Sequence, residues 1–297
     1  MFKSDPTNVD FVPRVYLNRS LDFGFIVHEY TDDKLPIIIK QDTPAFTGWD
    51  TPPSMHETFE IIRVTQGKIN FVINDKVHEI NQGELAVVNY EDIHRLPKID
   101  SPATYDTFLL QYQFCNEVGL DFADNRIIPV IREKTEPIND YCSAIIDEYN
   151  REDIGRCSIL KGLAHLLLLE LIRNHSESQA SSNLALSSPY YQVAKKALRY
   201  IQRNYQRYFS TNDISKALFI SNSYLSYCFK RIVGTTPMEY ANYLRCSIAF
   251  HCIATGHYPI KEAAYRCGFN NLSYFTRVFK KTIGILPSEV IIENNKN

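Results

Sequence analysis

The sequence lacks three features that would mark a membrane or secreted protein. Its longest apolar run, residues 166–169, is flanked by His165 and Glu170 and falls far short of the roughly 20 residues that span a bilayer. The N-terminal residues MFKSDPTNVD contain no apolar stretch of the kind found in signal peptides. The 7 cysteines are odd in number and form no C-x-x-C pair, which favours reduced thiols. We therefore expect a cytoplasmic protein with no membrane partner.

The C-terminal part of the chain has few acidic residues, and the two parts of the chain carry opposite net charges. Residues 189–297 contain 15 Lys or Arg but only 5 Asp or Glu, a net charge of +10. Residues 1–188 contain 17 basic and 29 acidic residues, a net charge of −12. Because a basic region attracts polyanions, we expect the C-terminal part to bind nucleic acid. An uneven but merely solvated surface is the alternative that charge alone leaves open.

The N-terminal part predicts short strands followed by helices. Four segments are rich in β-branched and aromatic residues and are separated by turn-forming residues: 60–65, 68–73, 85–88 and 107–112. Because no helical pattern lies between them, they favour an antiparallel sandwich or barrel. Helical spacing follows at 138–150 and 155–175, where four leucines fall near one face: Leu160, Leu163, Leu167 and Leu171. This leucine stripe predicts a dimer contact or packing on the barrel.

An internal repeat dominates the C-terminal part. Residues 223–240 read SYLSYCFKRIVGTTPMEY and residues 273–290 read SYFTRVFKKTIGILPSEV, so that 7 residues recur at an offset of 50. Each copy predicts a helix that ends at a glycine, with a proline beginning the next helix. A shorter amphipathic segment precedes each copy, at 211–218 and 260–267, across a tight turn. Helix, short turn and helix in a basic region indicate two helix-turn-helix units.

These motifs resemble the AraC/XylS class of bacterial regulators. The resemblance rests on SNSYLSYCFKR at 221–231, GTTP at 234–237 and AAYRCGFNNLSYFTRVFKK at 263–281. It implies a transcription regulator that is not an enzyme, that binds double-stranded DNA as a homodimer, and that has RNA polymerase as a further potential partner. Family members usually have glycine in the first turn, where this chain has Phe219, whereas the second turn keeps Gly268. If that position needs a positive φ, Phe219 costs about 1 kcal/mol or more, so we expect more base readout from the second unit.

By that resemblance, the N-terminal part of each recognition helix reads base edges. The expected base contacts are Asn222, Ser223, Ser226, Tyr227, Leu272, Ser273, Thr276 and Arg277. Arg277 is the sharpest candidate because a guanidinium can bond guanine O6 and N7 together, with a phosphate contact as the alternative. The expected phosphate contacts are Lys230, Arg231, Lys280 and Lys281.

The strand-rich part is similar, more loosely, to the cupin motifs of sensor domains in this family. The similarity rests on HETFEIIRVTQG at 56–67 and GELAVVNYEDIH at 83–94. A metal-binding cupin has a further histidine where this chain has Ser54, so we expect no metal and no other cofactor. The family resemblance implies that the effector is a sugar. The predicted effector-binding residues are Trp49, His56, Glu60, His94 and Tyr112. For Trp49, a core or rim aromatic is the alternative.

These observations predict an α+β protein of two domains. Residues 1–178 form an antiparallel, cupin-like β-barrel with helices at about 137–175, which binds the effector and dimerises. Residues 179–188 form a linker, and residues 189–297 form an all-α domain with the two helix-turn-helix units. The predicted function is a sequence-specific transcription regulator controlled by a small molecule. The alternatives are a metal-dependent cupin oxygenase or isomerase with a DNA-binding tail, and a constitutive DNA-binding protein whose barrel only dimerises.

Overall fold

The computed structural model describes most of the chain as two compact units, which we treat separately. The N-terminal unit is described over residues 35–177 and the C-terminal unit over residues 188–294. Within these limits, the residues that the structure describes are 35–45, 53–97, 99–119, 126–133, 135–177, 188–254, 256 and 258–294.

Antiparallel strands build the N-terminal unit, and every strand pair in its described part is antiparallel. A five-stranded sheet has the order β1-β7-β2-β5-β9, a three-stranded sheet has the order β4-β3-β6, and β10 pairs with β8. The strands are β1 (Ile37–Pro44), β2 (Thr58–Gln66), β3 (Lys68–Ile73), β4 (Lys76–Asn81), β5 (Leu85–Val88), β6 (His94–Arg95), β7 (Thr104–Gln111), β8 (Arg126–Ile127), β9 (Val130–Ile131) and β10 (Ser176–Glu177). The helices are α1 (Tyr112–Asn116), α2 (Glu136–Tyr149) and α3 (Arg156–His175).

Strand β2 separates two apolar layers because its side chains alternate between the faces of the sheet. Phe59 and Ile61 belong to the cluster that also contains the buried residues of α2 and α3. Ile62 and Val64 belong to a second cluster with residues of β3, including Phe71. Glu60 therefore lies on the same face as Ile62, in the layer between the two sheets.

Arg63, whose orientation the sequence leaves open, faces the helices. Its Nε and Nη2 atoms donate to Oδ2 of Asp106 over 3.0 and 2.7 Å. Its Nη1 atom donates to the carbonyl of Asn139 and to Oγ of Ser143. Because Asp106 is 1% exposed, Arg63 of β2 is a structural anchor that joins β7 by a charge-assisted contact and α2 by two further hydrogen bonds.

Strand β10 is the last described segment of the N-terminal unit, and its partner β8 is held from the loop before β6. The side chain of Asn89 donates to the carbonyl of Ile127 and accepts from its N–H, both over 2.9 Å. Arg126 donates to both carboxylate oxygens of Asp92 over 2.6 Å. Asp92 lies two residues before His94, the first residue of β6. The loop before β6 is therefore bonded directly to β8, the partner of β10.

Helices alone form the described part of the C-terminal unit. They are α4 (Pro189–Asn204), α5 (Thr211–Ala217), α6 (Asn222–Val233), α7 (Pro237–Ala254), α8 (Ile260–Arg266), α9 (Leu272–Ile283) and α10 (Pro287–Asn294). Helix α7 is buried over much of its length, and it packs against both α4 and α9. No helix in the described part of the chain is long and apolar enough to cross a membrane.

The predicted α+β class is confirmed: an antiparallel β unit with helices precedes an all-α unit with two helix-turn-helix pairs. One local assignment was wrong. Tyr112, predicted at the end of a strand, is the first residue of α1, because β7 stops at Gln111. The predicted linker, residues 179–188, lies outside the described residues except for Ser188, so the domain limits remain a prediction.

Candidate functional site

The two recognition helices, α6 and α9, begin and end in the same way. Ser221 caps α6 by accepting from the N–H of Tyr224, and Asn271 caps α9 by accepting from the N–H of Tyr274. Both helices end at a glycine in the left-handed region, with φ of 83° at Gly234 and 92° at the equivalent glycine of α9. The repeat that is visible in the sequence is therefore a repeat of backbone geometry.

The predicted DNA contacts lie on the accessible face of these helices. All twelve are exposed or half-exposed, whereas Leu225, Phe229, Phe275 and Phe279 are buried on the opposite face. The base and phosphate roles stay predictions, but each side chain lies where a duplex could reach it.

Helix α9 presents an open basic groove of about 600 Å³, lined by Ser273, Thr276, Arg277, Lys280, Lys281 and Leu286. The Arg277 guanidinium lies 5.5 Å from the centre of the Tyr274 ring, a weak cation–π contact that leaves its N–H groups available. The Thr276 hydroxyl donates to the carbonyl of Leu272 over 3.0 Å. Arg277 is thus the donor of α9 best suited to guanine.

Helix α6 presents side chains that are already engaged with the protein. Ser215 donates to the side-chain oxygen of Asn222 over 2.6 Å, so Asn222 ties α6 to α5. Arg231 donates to the Tyr227 hydroxyl over 3.0 Å and lies 5.0 Å from the centre of the Tyr190 ring. Their reach toward DNA is therefore limited by intramolecular contacts, which the sequence pattern did not indicate.

The two turns differ as the sequence suggested. Phe219 has a φ of 56° and Gly268 a φ of 81°, so the position does require a positive φ. Phe219 N–H bonds to the carbonyl of Lys216, as Gly268 N–H bonds to that of Tyr265. The Phe219 side chain is 95% exposed, whereas Gly268 is buried. The strain expected for a non-glycine residue is therefore present in the first unit.

A second candidate site lies in the N-terminal unit, where His56, Glu60 and His94 converge. The Nε2 atoms of His56 and His94 are 3.1 and 3.4 Å from Oε2 of Glu60. All three residues are at most 9% exposed. Backbone bonds between Ser54 and His94, over 2.7 and 2.9 Å, bring the two histidine-bearing segments together. The structure thus joins three of the five predicted effector residues.

The following arrangement of protons, inferred from the network, satisfies the hydrogen bonds of this cluster. Nδ1–H of His94 donates to the carbonyl of Asp92 over 3.0 Å, and the Ser54 hydroxyl donates to its Nε2 over 3.0 Å. Nε2–H of His56 donates to Glu60, and the Thr58 hydroxyl donates to its Nδ1 over 2.7 Å. Every polar atom named here is satisfied without an ion.

Burial sets the charges of the cluster. It lowers the pKa of His94 to about 4, with repulsion from His56 acting in the same direction, so this ring is neutral at pH 7. Burial opposes ionisation of Glu60, yet the hydrogen bond from His56 and the positive charges around it lower the pKa of its carboxyl overall. Because His94 is neutral, the His56 bond is the main support of the Glu60 carboxylate.

The same three residues could hold a divalent ion. Their ligand atoms lie within 4.8 Å of one another, and two imidazoles with one carboxylate suit zinc, iron or manganese. His56 Nδ1 also lies 3.2 Å from the carbonyl of Thr58, so this ring can adopt the tautomer that frees Nε2. Ser54 adds a hydroxyl rather than a fourth strong ligand.

The other two predicted effector residues are not placed beside the cluster. Tyr112 packs against the cluster of α2 and α3, on the other side of the sheet from Glu60, with its ring centroid 4.8 Å from that of Tyr90. Trp49 lies outside the described residues. Both assignments remain predictions.

Two family models match the chain. An AraC-like ligand binding domain matches residues 44–194, half of the sequence, and a helix-turn-helix domain matches residues 214–291. The chain belongs to the AraC family. As an AraC-family protein it is a transcription regulator with a ligand-binding and a DNA-binding domain, and it is not an enzyme.

Relatives and solved structures agree with this assignment. The chain is 19% identical to the transcriptional activator RhaS of Mannheimia succiniciproducens over 270 residues, 89% of this chain and 96% of RhaS. It is 29% identical to the uncharacterised regulator YisR of Bacillus subtilis over 123 residues, which span only 41% of this chain and 42% of YisR. The structure of ToxT from Vibrio cholerae is similar with a TM-score of 0.50 and 15% identity, over 86% of this chain and 98% of ToxT, which supports the fold.

Proposed function

We propose that this AraC-family regulator is controlled by a sugar bound at His56, Glu60 and His94. The observation that carries the proposal is a buried cluster of polar side chains within the apolar interior of the ligand-binding domain. Such a cluster costs stability unless each group is satisfied. It offers what a sugar requires, a charged acceptor in Glu60 and adaptable donors and acceptors in the two imidazoles.

The sugar class rests on the family resemblance and on the chemistry of this cluster. Hydroxyl groups can replace the bonds from Ser54 and His56 one for one, because each both donates and accepts. Trp49 is proposed to supply an aromatic face for the apolar side of the ring. Tyr112 lies on the other side of the sheet from Glu60, so it would have to act at a separate position from this cluster. An apolar effector would leave Glu60 buried without a ligand partner, so the cluster favours a polyhydroxylated molecule.

Thermal unfolding of the full chain with a panel of sugars tests this proposal. A cognate sugar at 100 times its Kd should add about 2.7 kcal/mol of stability, and Glu60→Gln should abolish that gain. Glu79→Gln is the matched control, because Glu79 pairs with Lys68 on the exposed face of β4. A run with chelator, followed by added zinc or manganese, shows whether an ion takes part. Stabilisation by no sugar, in either condition, would contradict the sugar effector but not DNA binding.

The DNA contacts named above form the second half of the proposal. In our interpretation the second unit reads bases through Arg277, Thr276, Ser273 and Leu272, while the first unit adds docking contacts through Asn222, Ser223, Ser226 and Tyr227. Lys230, Arg231, Lys280 and Lys281 bind phosphates. The exposed basic groove of α9 supports this division. Selection of bound duplexes from random DNA, with and without the sugar panel, tests it and would identify the operator.

The leucine stripe predicted as a dimer contact or as packing on the barrel is packed in the core, because Leu160, Leu167 and Leu171 are buried in the cluster shared with the sheet. We further propose that a different face of α3 forms a homodimer contact. Ile159 and Leu166 are 48% and 47% exposed, and Gly162 lies between them on the same helix face, where a second helix can approach closely. Sedimentation equilibrium should show a dimer for the wild type and a monomer for Leu166→Asp. An unchanged dimer in the variant would place the interface elsewhere. RNA polymerase is a further proposed partner, testable by transcription from the selected operator.

A further inference from the structure

Arg245 is a buried cation at the junction of the two helix-turn-helix units. It lies in the middle of α7, the helix that connects them, and is 4% exposed. Its Nε atom donates to the carbonyl of Tyr205 over 2.8 Å, and its Nη2 atom donates to the carbonyl of Arg207 over 2.6 Å. No carboxylate pairs with it in the described part of the chain. Its forked guanidinium is instead matched to two carbonyls of one loop.

That loop, residues 205–210, determines where the first unit begins. The Phe209 ring is buried and lies 4.8 Å below the Arg245 guanidinium. The next residue, Ser210, caps α5 in a reciprocal pair of bonds with Asp213. Helix α5 is in turn bonded to α6 through Ser215. The position of the loop is therefore passed on to the first recognition helix through short, directional contacts.

The second unit contacts the same loop from the other side. A Cβ atom at Gly268 would lie 2.4 Å from the carbonyl oxygen of Tyr205 and 3.2 Å from Nε of Arg245. The turn of the second unit thus packs directly on the carbonyl that Arg245 binds. One peptide group of the first unit is held between α7 and the turn that leads to α9. This is a close-packed junction, and α7 is more than a spacer.

We propose that Arg245 is a positioning residue for DNA recognition, which sets the distance and angle between α6 and α9 and thereby the half-site spacing that the protein accepts. The proposal rests on the DNA interface proposed above. Two recognition helices must enter successive major grooves about 34 Å apart on one face of the duplex. If the junction is rigid, binding of one recognition helix increases the affinity of the other only when the spacing of the two half-sites matches the distance between the helices. If the junction is flexible, this increase in affinity is smaller but occurs over a wider range of half-site spacings.

The test uses the full chain and the duplex obtained by selection. Insertions of one to five base pairs are placed between the two half-sites, and a duplex with one half-site serves as reference. Two inserted base pairs turn the second groove by about 70°, and we expect the wild type to lose about tenfold or more in affinity. Arg245→Lys keeps the charge but cannot bond both carbonyls. For this variant we expect the same insertion to lower the affinity by about threefold or less, and we expect unchanged affinity for the single half-site.

A second pair of variants approaches the junction from the turn. Gly268→Ala should also flatten the spacing profile, because its methyl group displaces the Tyr205 carbonyl. Gly284→Ala is the matched control, since Gly284 has a φ of 92° but, among the residues that the structure describes, no close neighbour within 4 Å of its Cβ position. Thermal unfolding shows which variants are folded. Folded variants with the wild-type spacing profile, or an equal loss on every duplex including the single half-site, would overturn the proposal. Failure to select any duplex would instead contradict the DNA interface.

Discussion

The two helix-turn-helix units are equivalent in their recognition helices and different in their turns. From cap to terminal glycine, α6 and α9 match at a constant offset of 50, but the positive-φ residues Phe219 and Gly268 are 49 apart. The first turn is therefore one residue shorter, and it is exposed where the second is packed against the loop after α4. The first turn tolerates an aromatic side chain because, within the described part of the chain, the Phe219 side chain is 95% exposed. The second requires glycine because the Tyr205 carbonyl occupies the space of a Cβ atom.

The largest expected effect is on stability at the packed turn. Gly268→Ala combines backbone strain with a clash against a backbone oxygen, and we expect a loss of about 3 kcal/mol in the free energy of unfolding. Gly284→Ala carries strain alone and should cost about 1 kcal/mol. Urea unfolding followed by circular dichroism measures both. Equal losses would show that the packing of the second turn adds nothing to the requirement for glycine.

The next effect separates the two units in base readout. Arg277→Ala should remove about 1–3 kcal/mol of discrimination at one base pair, because the bidentate contact is lost. Tyr227→Ala, the matching position of the first unit, should cost less than about 1 kcal/mol, since its hydroxyl already accepts from Arg231. Affinities for a set of single-base operator variants measure the difference. A greater loss of discrimination in Tyr227→Ala would reverse the assigned roles of the two units.

Lys280→Ala provides the control for this comparison. As a phosphate contact, it should weaken specific and random duplexes alike and reduce the slope of log affinity against log salt by about 1. If Arg277→Ala behaves in the same way as Lys280→Ala, Arg277 also binds phosphate, and direct base readout by α9 must come from Ser273, Thr276 or Leu272.

The smallest expected effect is at the exposed turn. Phe219→Gly relieves the strain of a positive φ and should raise stability by about 0.5–1 kcal/mol, the gain being reduced by the greater freedom of glycine in the unfolded chain. Differential scanning calorimetry of the full chain would detect the change. A stability loss would mean that the Phe219 ring makes a stabilising contact despite its exposure.

Local patterns predicted the two helix-turn-helix pairs of the C-terminal unit, but only four of the ten described strands of the N-terminal unit. Glycines and prolines recur with the repeat, so α6 and α9 end before a glycine and the next helices begin at Pro237 and Pro287, as predicted. The shorter helices α5 and α8 end one residue before their predicted limits. Strain at Phe219 was expected on the condition that the turn needs a positive φ, because family members usually have glycine there, and the φ of 56° meets that condition. The four predicted strands correspond to β2, β3, β5 and β7, but β2 and β7 begin two and three residues earlier than predicted. Strand β7 also ends one residue earlier, at Gln111, where the chain turns into α1 without any breaking residue.

Contacts between distant segments could not be predicted. Nothing beside Arg245 in the sequence marks it as the partner of carbonyls forty residues earlier. Asn222 has the side chain of a base reader, but its bond to Ser215 depends on how α5 packs. The convergence of His56 and His94 was suggested by motif resemblance, whereas their tautomers follow only from the positions of Thr58, Ser54 and Asp92.

Strand β10, the last described segment of the N-terminal unit, is connected through β8 to the loop before His94. It consists of two residues and is held by its ladder with β8, which Arg126 and Asn89 fasten to the loop before His94. A ladder of only two residue pairs contributes little stability by itself, so its free energy of opening depends on how firmly β8 is held. Because β8 is bonded to the loop before His94, a displacement of that loop would act directly on the two-residue pairing of Ser176 and Glu177 with β8.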